Sequence, residues 1–202
     1  MASQLNKSSF LLPLAIGLIV GFLAGAVFAV FKLDSSPAPP SAVQSSGGQQ
    51  QSPGPSAQEA EAIANLKAAV AAKPDDADSW TRLGHLYYDS SQFQEAIDAY
   101  KRTLELQPSN SDVWTDMGVM YRRLNNPEEA IRSFDKAMSF SPNHLPSRLN
   151  KGVVLLFDLG KAEEAITSWE EALTINPQAT TANGQSLREF VDQVKAEQSK
   201  KQ

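Results

Sequence analysis

The sequence predicts an all-α chain of three stacked helix hairpins, with a capping helix before them, another after, and one membrane-spanning helix near the N-terminus. Three observations carry this. One pattern is written three times: Trp80-Thr81-Arg82-Leu83-Gly84-His85-Leu86-Tyr87, Trp114-Thr115-Asp116-Met117-Gly118-Val119-Met120-Tyr121 and, more loosely, Arg148-Leu149-Asn150-Lys151-Gly152-Val153-Val154-Leu155. Each copy is followed by a Glu-Ala-Ile beginning at Glu95, Glu129 or Glu164 and ends at a proline, Pro108, Pro142 or Pro177, spaced 34 and then 35 residues apart. A fixed period of this size means a stacked array rather than a closed globule. The third observation is an apolar run over residues 10–31 with no charged side chain.

Composition narrows the function classes. The chain has 202 residues, a formal charge of −5 and no cysteine. Without cysteine there are no disulfides, thiol nucleophiles or thiolate metal sites. Mild acidity argues against nucleic acid, whose binding needs a clustered basic face.

Residues 1–9 are a short polar start. A helix over residues 10–31 is about 33 Å long at about 1.5 Å per residue, enough to cross a hydrocarbon core of about 30 Å. A cleaved secretory signal is the rival reading, but its apolar region usually runs only about 7–15 residues. Gly17, Gly21, Gly25 and Ala29 recur every fourth residue and put small side chains on one face, where a second copy or another membrane helix packs closely. Lys7 before the run outweighs Lys32, offset by Asp34, after it. The positive-inside rule then places the N-terminus in the cytoplasm and the repeats outside it; in a bacterium this is a single-pass inner-membrane protein with a periplasmic C-terminal domain.

Residues 32–57 are rich in Pro, Ser, Gln and Gly and read as a disordered tether. Ser56 and Glu59 have capping-box spacing, so a helix over 58–74 is expected. It is in phase with the second helix of a repeat and lacks a first helix of its own, so it reads as the N-terminal cap. The three hairpins occupy 77–110, 111–144 and 145–179. Gly84, Gly118 and Gly152 let the paired helix approach, with Ala96, Ala130 and Ala165 as small residues opposite. Trp80, Leu83, Tyr87, Tyr100 and Leu104 form the first seam, and Trp114, Met117, Tyr121, Phe134 and Met138 the second. Pro127 suits a first helical position with Asn126 as N-cap. The third copy departs: Arg148, Lys151 and Leu155 replace Trp, Leu and Tyr, and an extra residue between Gly152 and Ala165 predicts a longer or kinked first helix. A C-terminal capping helix is expected over 185–198, begun by a capping box at Ser186 and Glu189, with Leu187, Phe190, Val191 and Val194 on one face.

Catalytic, cofactor and metal constellations are not legible. His85 and His144 have no ligand partner at metal-binding spacing; His144, in a turn after Pro142, is expected to be solvated. The paired glutamates at 128–129, 163–164 and 170–171 suit helix starts or exposed faces. The chain is read as a non-enzyme without cofactor or metal.

The repeated Trp, Leu-Gly, Tyr, Ala, aromatic and Pro positions resemble the tetratricopeptide repeat family over about half of the chain. The resemblance implies a right-handed solenoid whose first helices line a concave groove for a protein or peptide partner. The groove positions it implies are Asp78, Thr81, His85, Tyr88 and Asp89; Asp112, Thr115, Asp116, Val119, Arg122 and Arg123; and Leu149, Asn150, Val153, Leu156 and Phe157. Val119, Leu149, Val153 and Phe157 are expected to form an apolar strip, with Arg122 and Arg123 gripping a carboxylate or carbonyls at its edge. The Lys, Asn and Arg residues with which relatives hold the C-terminal carboxylate of heat-shock chaperones are replaced here by Thr81, His85, Asp116, Pro146 and Asn150, which do not carry the needed positive charge. Anchor, tether and repeats together resemble bacterial envelope proteins of this family, including subunits of c-type cytochrome maturation that hold an apocytochrome. The expected function is a membrane-anchored scaffold; self-assembly and an organelle import receptor are the alternatives.

Overall fold

The computed structural model describes residues 54–200. The predicted membrane span with its glycine face, and most of the tether, lie outside the described residues; among those described, no helix is long and apolar enough to cross a membrane. Among the described residues eight α-helices follow one another: α1 Ala57–Ala72, α2 Ala77–Asp89, α3 Phe93–Leu106, α4 Ser111–Arg123, α5 Pro127–Phe140, α6 Leu145–Val153, α7 Ala162–Ile175 and α8 Leu187–Ser199. A π-helical turn, Val154–Asp158, continues α6.

Local chemistry sets the helix starts. At α1 the Ser56 hydroxyl accepts from the Glu59 amide at 3.2 Å and the Glu59 carboxylate accepts from the Ser56 amide at 2.8 Å, closing the predicted capping box. Asp76 caps α2 through the Ser79 amide at 3.3 Å, and Asn110 caps α4 through the Val113 amide at 3.2 Å. Two capping expectations are corrected. Asn126 occupies the N-cap position before Pro127, but its side chain makes no capping bond. Ser186 likewise starts α8 without a side-chain cap; there the chain is positioned instead by the Leu187 amide donating to Ala179 O at 2.9 Å.

The hairpins α2/α3, α4/α5 and α6/α7 close on aromatic rings set against glycine. Tyr100, Phe134 and Trp169 are 0 %, 0 % and 1 % exposed and lie against Gly84, Gly118 and Gly152. Trp80 Nε1 donates to Pro74 O at 3.0 Å and Trp114 Nε1 to Pro108 O at 2.8 Å, tying each of these repeats to the turn before it. The third repeat, which lacks that tryptophan, uses Trp169 on α7, whose Nε1 donates to Leu149 O at 3.1 Å. The half-buried Arg148 in its place faces Glu171 at 3.3 Å.

The extra residue of the third repeat is absorbed in the π turn, which widens the helix by one residue per turn without breaking it. Val154 and Leu155 in that turn are 0 % and 2 % exposed, so the core stays closed across the insertion.

Each hairpin turns through one left-handed residue: Ser91 at φ 60°, Asn125 at φ 58° and Gly160 at φ 66°. This conformation costs a residue with a side chain about 1 kcal/mol, less for asparagine. Ser91 is thus the worst fitted of the three. Ser91→Gly is expected to stabilise the array by about 0.5 kcal/mol after the greater chain entropy of glycine is subtracted, read as a small rise in melting temperature.

The first-helix face

The first helices of the hairpins, α2, α4 and α6, communicate through side chains of one face, and α8 extends the row. His85 Nε2 of α2 lies 3.3 Å from Asp116 Oδ2 of α4. Thr115 Oγ1 of α4 lies 2.7 Å from Ser147 Oγ of α6. Arg122 holds Asp158 with Nε at 2.5 Å and Nη2 at 3.2 Å. The Phe157 ring stacks on Phe190 of α8 with centroids 6.5 Å apart and planes 25° apart, and Phe190 meets Trp169 edge-on at 5.1 Å.

Against this geometry the sequence-derived groove separates into exposed and inward residues. His85, Tyr88, Asp112, Arg122, Arg123 and Phe157 are exposed. Thr81 turns inward: its hydroxyl donates to Ala77 O at 2.9 Å and lies 3.1 Å from Thr103 Oγ1. Thr115 is a correction, because it is buried and hydrogen-bonded to Ser111 O and Ser147. Leu149 and Val153 are half-buried against the core of the third repeat, and Val119 against that of the second. The expected four-residue apolar strip is therefore one exposed ring, Phe157, at 62 % exposure. Asn150, half-buried, donates to Pro146 O at 3.0 Å. Arg122 is engaged with Asp158 and so differs from the expected carboxylate grip. Arg123 instead borders a cleft of about 310 Å³ with Tyr88, Asp89, Ser91 and Phe93.

His144 is also corrected. It is the N-cap residue of α6 with a side chain only 13 % exposed. Its Nδ1 is 2.7 Å from Ser147 Oγ and its Nε2 is 3.0 Å from Asp112 Oδ1. The trio has the residue types of a serine hydrolase, but Ser147 is 0 % exposed, so its hydroxyl meets no substrate. It is a hydrogen-bonded brace between the second and third repeats. Sequence reasoning also missed Asp158 and Phe190 as members of this face. Phe190 was visible only as part of an amphipathic stripe, and nothing local marks Asp158.

Burial raises the Asp116 carboxyl above the usual carboxylate range, opposed by the attraction and hydrogen bond of His85; Asp112 adds to the rise and His144 to the opposition. A raised acid pKa means that the folded form holds the proton more tightly than the unfolded chain. The ionised carboxylate is thus a burden at neutral pH that is relieved as pH falls through the raised value. Asp116→Asn is expected to melt slightly higher than the parent at pH 7, with the difference closing toward pH about 4, near the ordinary aspartate value. Parallel melting curves at the two pH values check the sign.

Matches to family models follow the same segments: tetratricopeptide repeat models match residues 77–110, 99–132 and 145–179. The class is that of helical-repeat, protein-interaction scaffolds. The chain belongs to the tetratricopeptide repeat family. Among solved structures it is similar to the crystal structure of MamA, with TM-score 0.56 and 21 % identity over 59 % of this chain and 70 % of that one. A second crystal structure of MamA protein matches at TM-score 0.56 and 24 % identity, over 60 % and 66 % of the two chains. The first tetratricopeptide domain of Spaghetti (RPAP3), bound to the HSP90 peptide SRMEEVD, matches at TM-score 0.54 and 21 % identity, over 61 % and 93 %. No curated protein sequence matches.

Proposed function

We propose that the chain is a membrane-tethered adaptor whose first-helix face takes a segment of a partner protein, with Phe157 as the apolar anchor. The observation that carries this is the exposure of Phe157. A large aromatic ring at 62 % exposure stands in a row of first helices whose other apolar residues, Tyr88 at 38 % apart, are half-buried or buried. The π turn that presents it is pinned by the Arg122–Asp158 pair, and its ring is backed by Phe190 and Trp169. Such turns inside helices recur at functional sites, and aromatic anchors backed by packed neighbours dominate interface energies. The likeness to a domain that holds an HSP90 peptide supports a peptide-sized ligand. The acidic pair Asp112 and Asp116 on the same face argues for a partner segment without an acidic tail.

The tether over residues 32–57 gives this face reach around an anchor at residues 10–31, and the charge bias across that run favours the extracytoplasmic side. The test is a photo-crosslinking amino acid placed at Phe157 in the full chain in its native membranes, with Gln94 on α3 as the control position. A discrete adduct from position 157 alone identifies the partner. Equal labelling from both positions, or none from 157, rejects the site. Protease shaving of intact cells, with the repeats cleaved from outside, checks the sidedness.

A further inference from the structure

In every complete repeat the second helix buries the same three positions beneath its first helix. Ala96, Tyr100 and Thr103 are each 0 % exposed; so are Ala130, Phe134 and Ala137; Ala165, Trp169 and Ala172 are at 0 %, 1 % and 0 %. Helix α1 is in phase with these second helices, and its matching residues are Ala62, Leu66 and Ala69. Ala62 and Leu66 are only half-buried, and Ala69 is exposed. The neighbouring stripe, Ile63 and Val70 at 8 % and 5 %, packs with Leu83 of α2. Thus α1 caps the array with one face, Leu66 lying at the edge of that contact, and leaves open most of the face that its own first helix would cover. A cleft of about 510 Å³ lined by Ala62, Asn65, Leu66, Arg82, His85 and Leu86 marks the place.

By the repeat period the missing helix falls on Val43 to Pro55, which holds Gly47, Gly48, Gly54, Pro53 and Pro55 and does not encode a helix. The opposite end of the array is closed, since α8 turns Arg188, Glu189, Asp192 and Gln193 to solvent.

We infer that the occupant is α1 of a second copy of this chain, laid antiparallel across the open face about Leu66. The open stripe reads Glu59, Ala62, Leu66, Ala69, Lys73, the 3-4-3-4 spacing of a helix–helix seam. It carries an acid seven residues before Leu66 and a base seven residues after it. Antiparallel pairing sets each Glu59 against the partner's Lys73, whereas parallel pairing sets like charges together. Antiparallel is also the direction in which first and second helices of each hairpin lie. Ala62 and Ala69 let the backbones approach, and the two Leu66 side chains meet on the two-fold axis. The contact is isologous, so it closes as a dimer and leaves the Phe157 site on each copy untouched.

The chain has no cysteine, so single cysteines report the contact directly. In the full chain held in nanodiscs, mild oxidation of Leu66→Cys is expected to give a disulfide-linked dimer, and Ala64→Cys, exposed on the opposite side of α1, only background. Lys73→Glu, at an exposed position, is expected to keep the melting curve, bring Leu66→Cys crosslinking to background and shift the mass by light scattering to that of a monomer. Adding Glu59→Gln, which keeps the capping box and removes the charge that faces the new Glu, restores both in part. Equal yields from positions 64 and 66, as an association through the apolar run alone would give, overturn the proposal. So does Lys73→Glu without effect on mass or crosslinking. Neither result bears on the Phe157 crosslink.

Discussion

Gly118→Leu is expected to lower the melting temperature of the repeat array by about 5–10 °C, or to abolish its cooperative transition. A Cβ on Gly118 would stand 2.5 Å from Phe134 Cε1, 2.8 Å from Cδ1 and 3.0 Å from Cζ. Phe134 is 0 % exposed and has no room to withdraw. Leucine adds three more carbons at the same place. Overpacking of this kind costs about 1–3 kcal/mol and sometimes more, against a total stability of about 5–15 kcal/mol. The position adds to the effect: Gly118 lies in the middle hairpin, and in an array each repeat leans only on its neighbours. Wedging α4 from α5 therefore separates both ends from their support. The rescue is specific. Gly118→Ala with Phe134→Leu is expected to recover most of the loss that Gly118→Ala suffers alone, because the shorter side chain clears the new methyl. Thermal melts by circular dichroism decide it; an undiminished melting temperature for Gly118→Leu would mean that the Gly118–Phe134 contact does not set the hairpin spacing.

The part of the fold that was legible in the sequence is the part written as local, repeated contacts. Glycine opposite an aromatic, alanine opposite a first helix and proline after a second helix recur at one period, and each names its own neighbour. The insertion in the third copy was equally visible as an extra residue between Gly152 and Ala165. Its form was not, because a loop, a kink and a π turn cost the sequence the same one residue. What selects the π turn is tertiary: Val154 and Leu155 stay in the core while Asp158 reaches Arg122 on the preceding repeat.

The first-helix face was less legible for the same reason. Thr115 occupies a groove position by family pattern, but its hydroxyl finds Ser147 and His144 across the repeat boundary and turns inward. His144 reads as a turn residue in its own segment and becomes a half-buried brace only because Asp112 and Ser147 converge on it. Contacts between repeats are separated by about one period in sequence, and no local pattern encodes whether a side chain answers its neighbour or the solvent.

That distinction separates two substitutions which the sequence alone would treat as equivalent. Phe157→Glu is expected to weaken partner capture at least about 30-fold, the scale of a hot-spot loss of about 2 kcal/mol, while leaving the melting curve nearly unchanged. Phe157 is 62 % exposed, so the carboxylate stays hydrated in the free protein, and the stacked ring of Phe190 remains supported by Trp169. In the bound state the same carboxylate stands where an apolar side chain of the partner should sit, and neither the ring contact nor its desolvation is recovered. Val153→Glu, four residues earlier, is expected to do the reverse. Val153 is half-buried against the cluster containing Trp169, Val191 and Leu155, so a charge there loosens the third repeat and lowers the melting temperature, and any loss of binding follows the loss of fold. Phe157→Leu keeps an apolar anchor and is expected to fall between the parent and Phe157→Glu in affinity. Titration of the crosslink-identified partner against the three variants, beside their melting curves, separates the roles. Full affinity in Phe157→Glu would remove Phe157 as the anchor and with it the reading of the π turn as a device for presenting that ring.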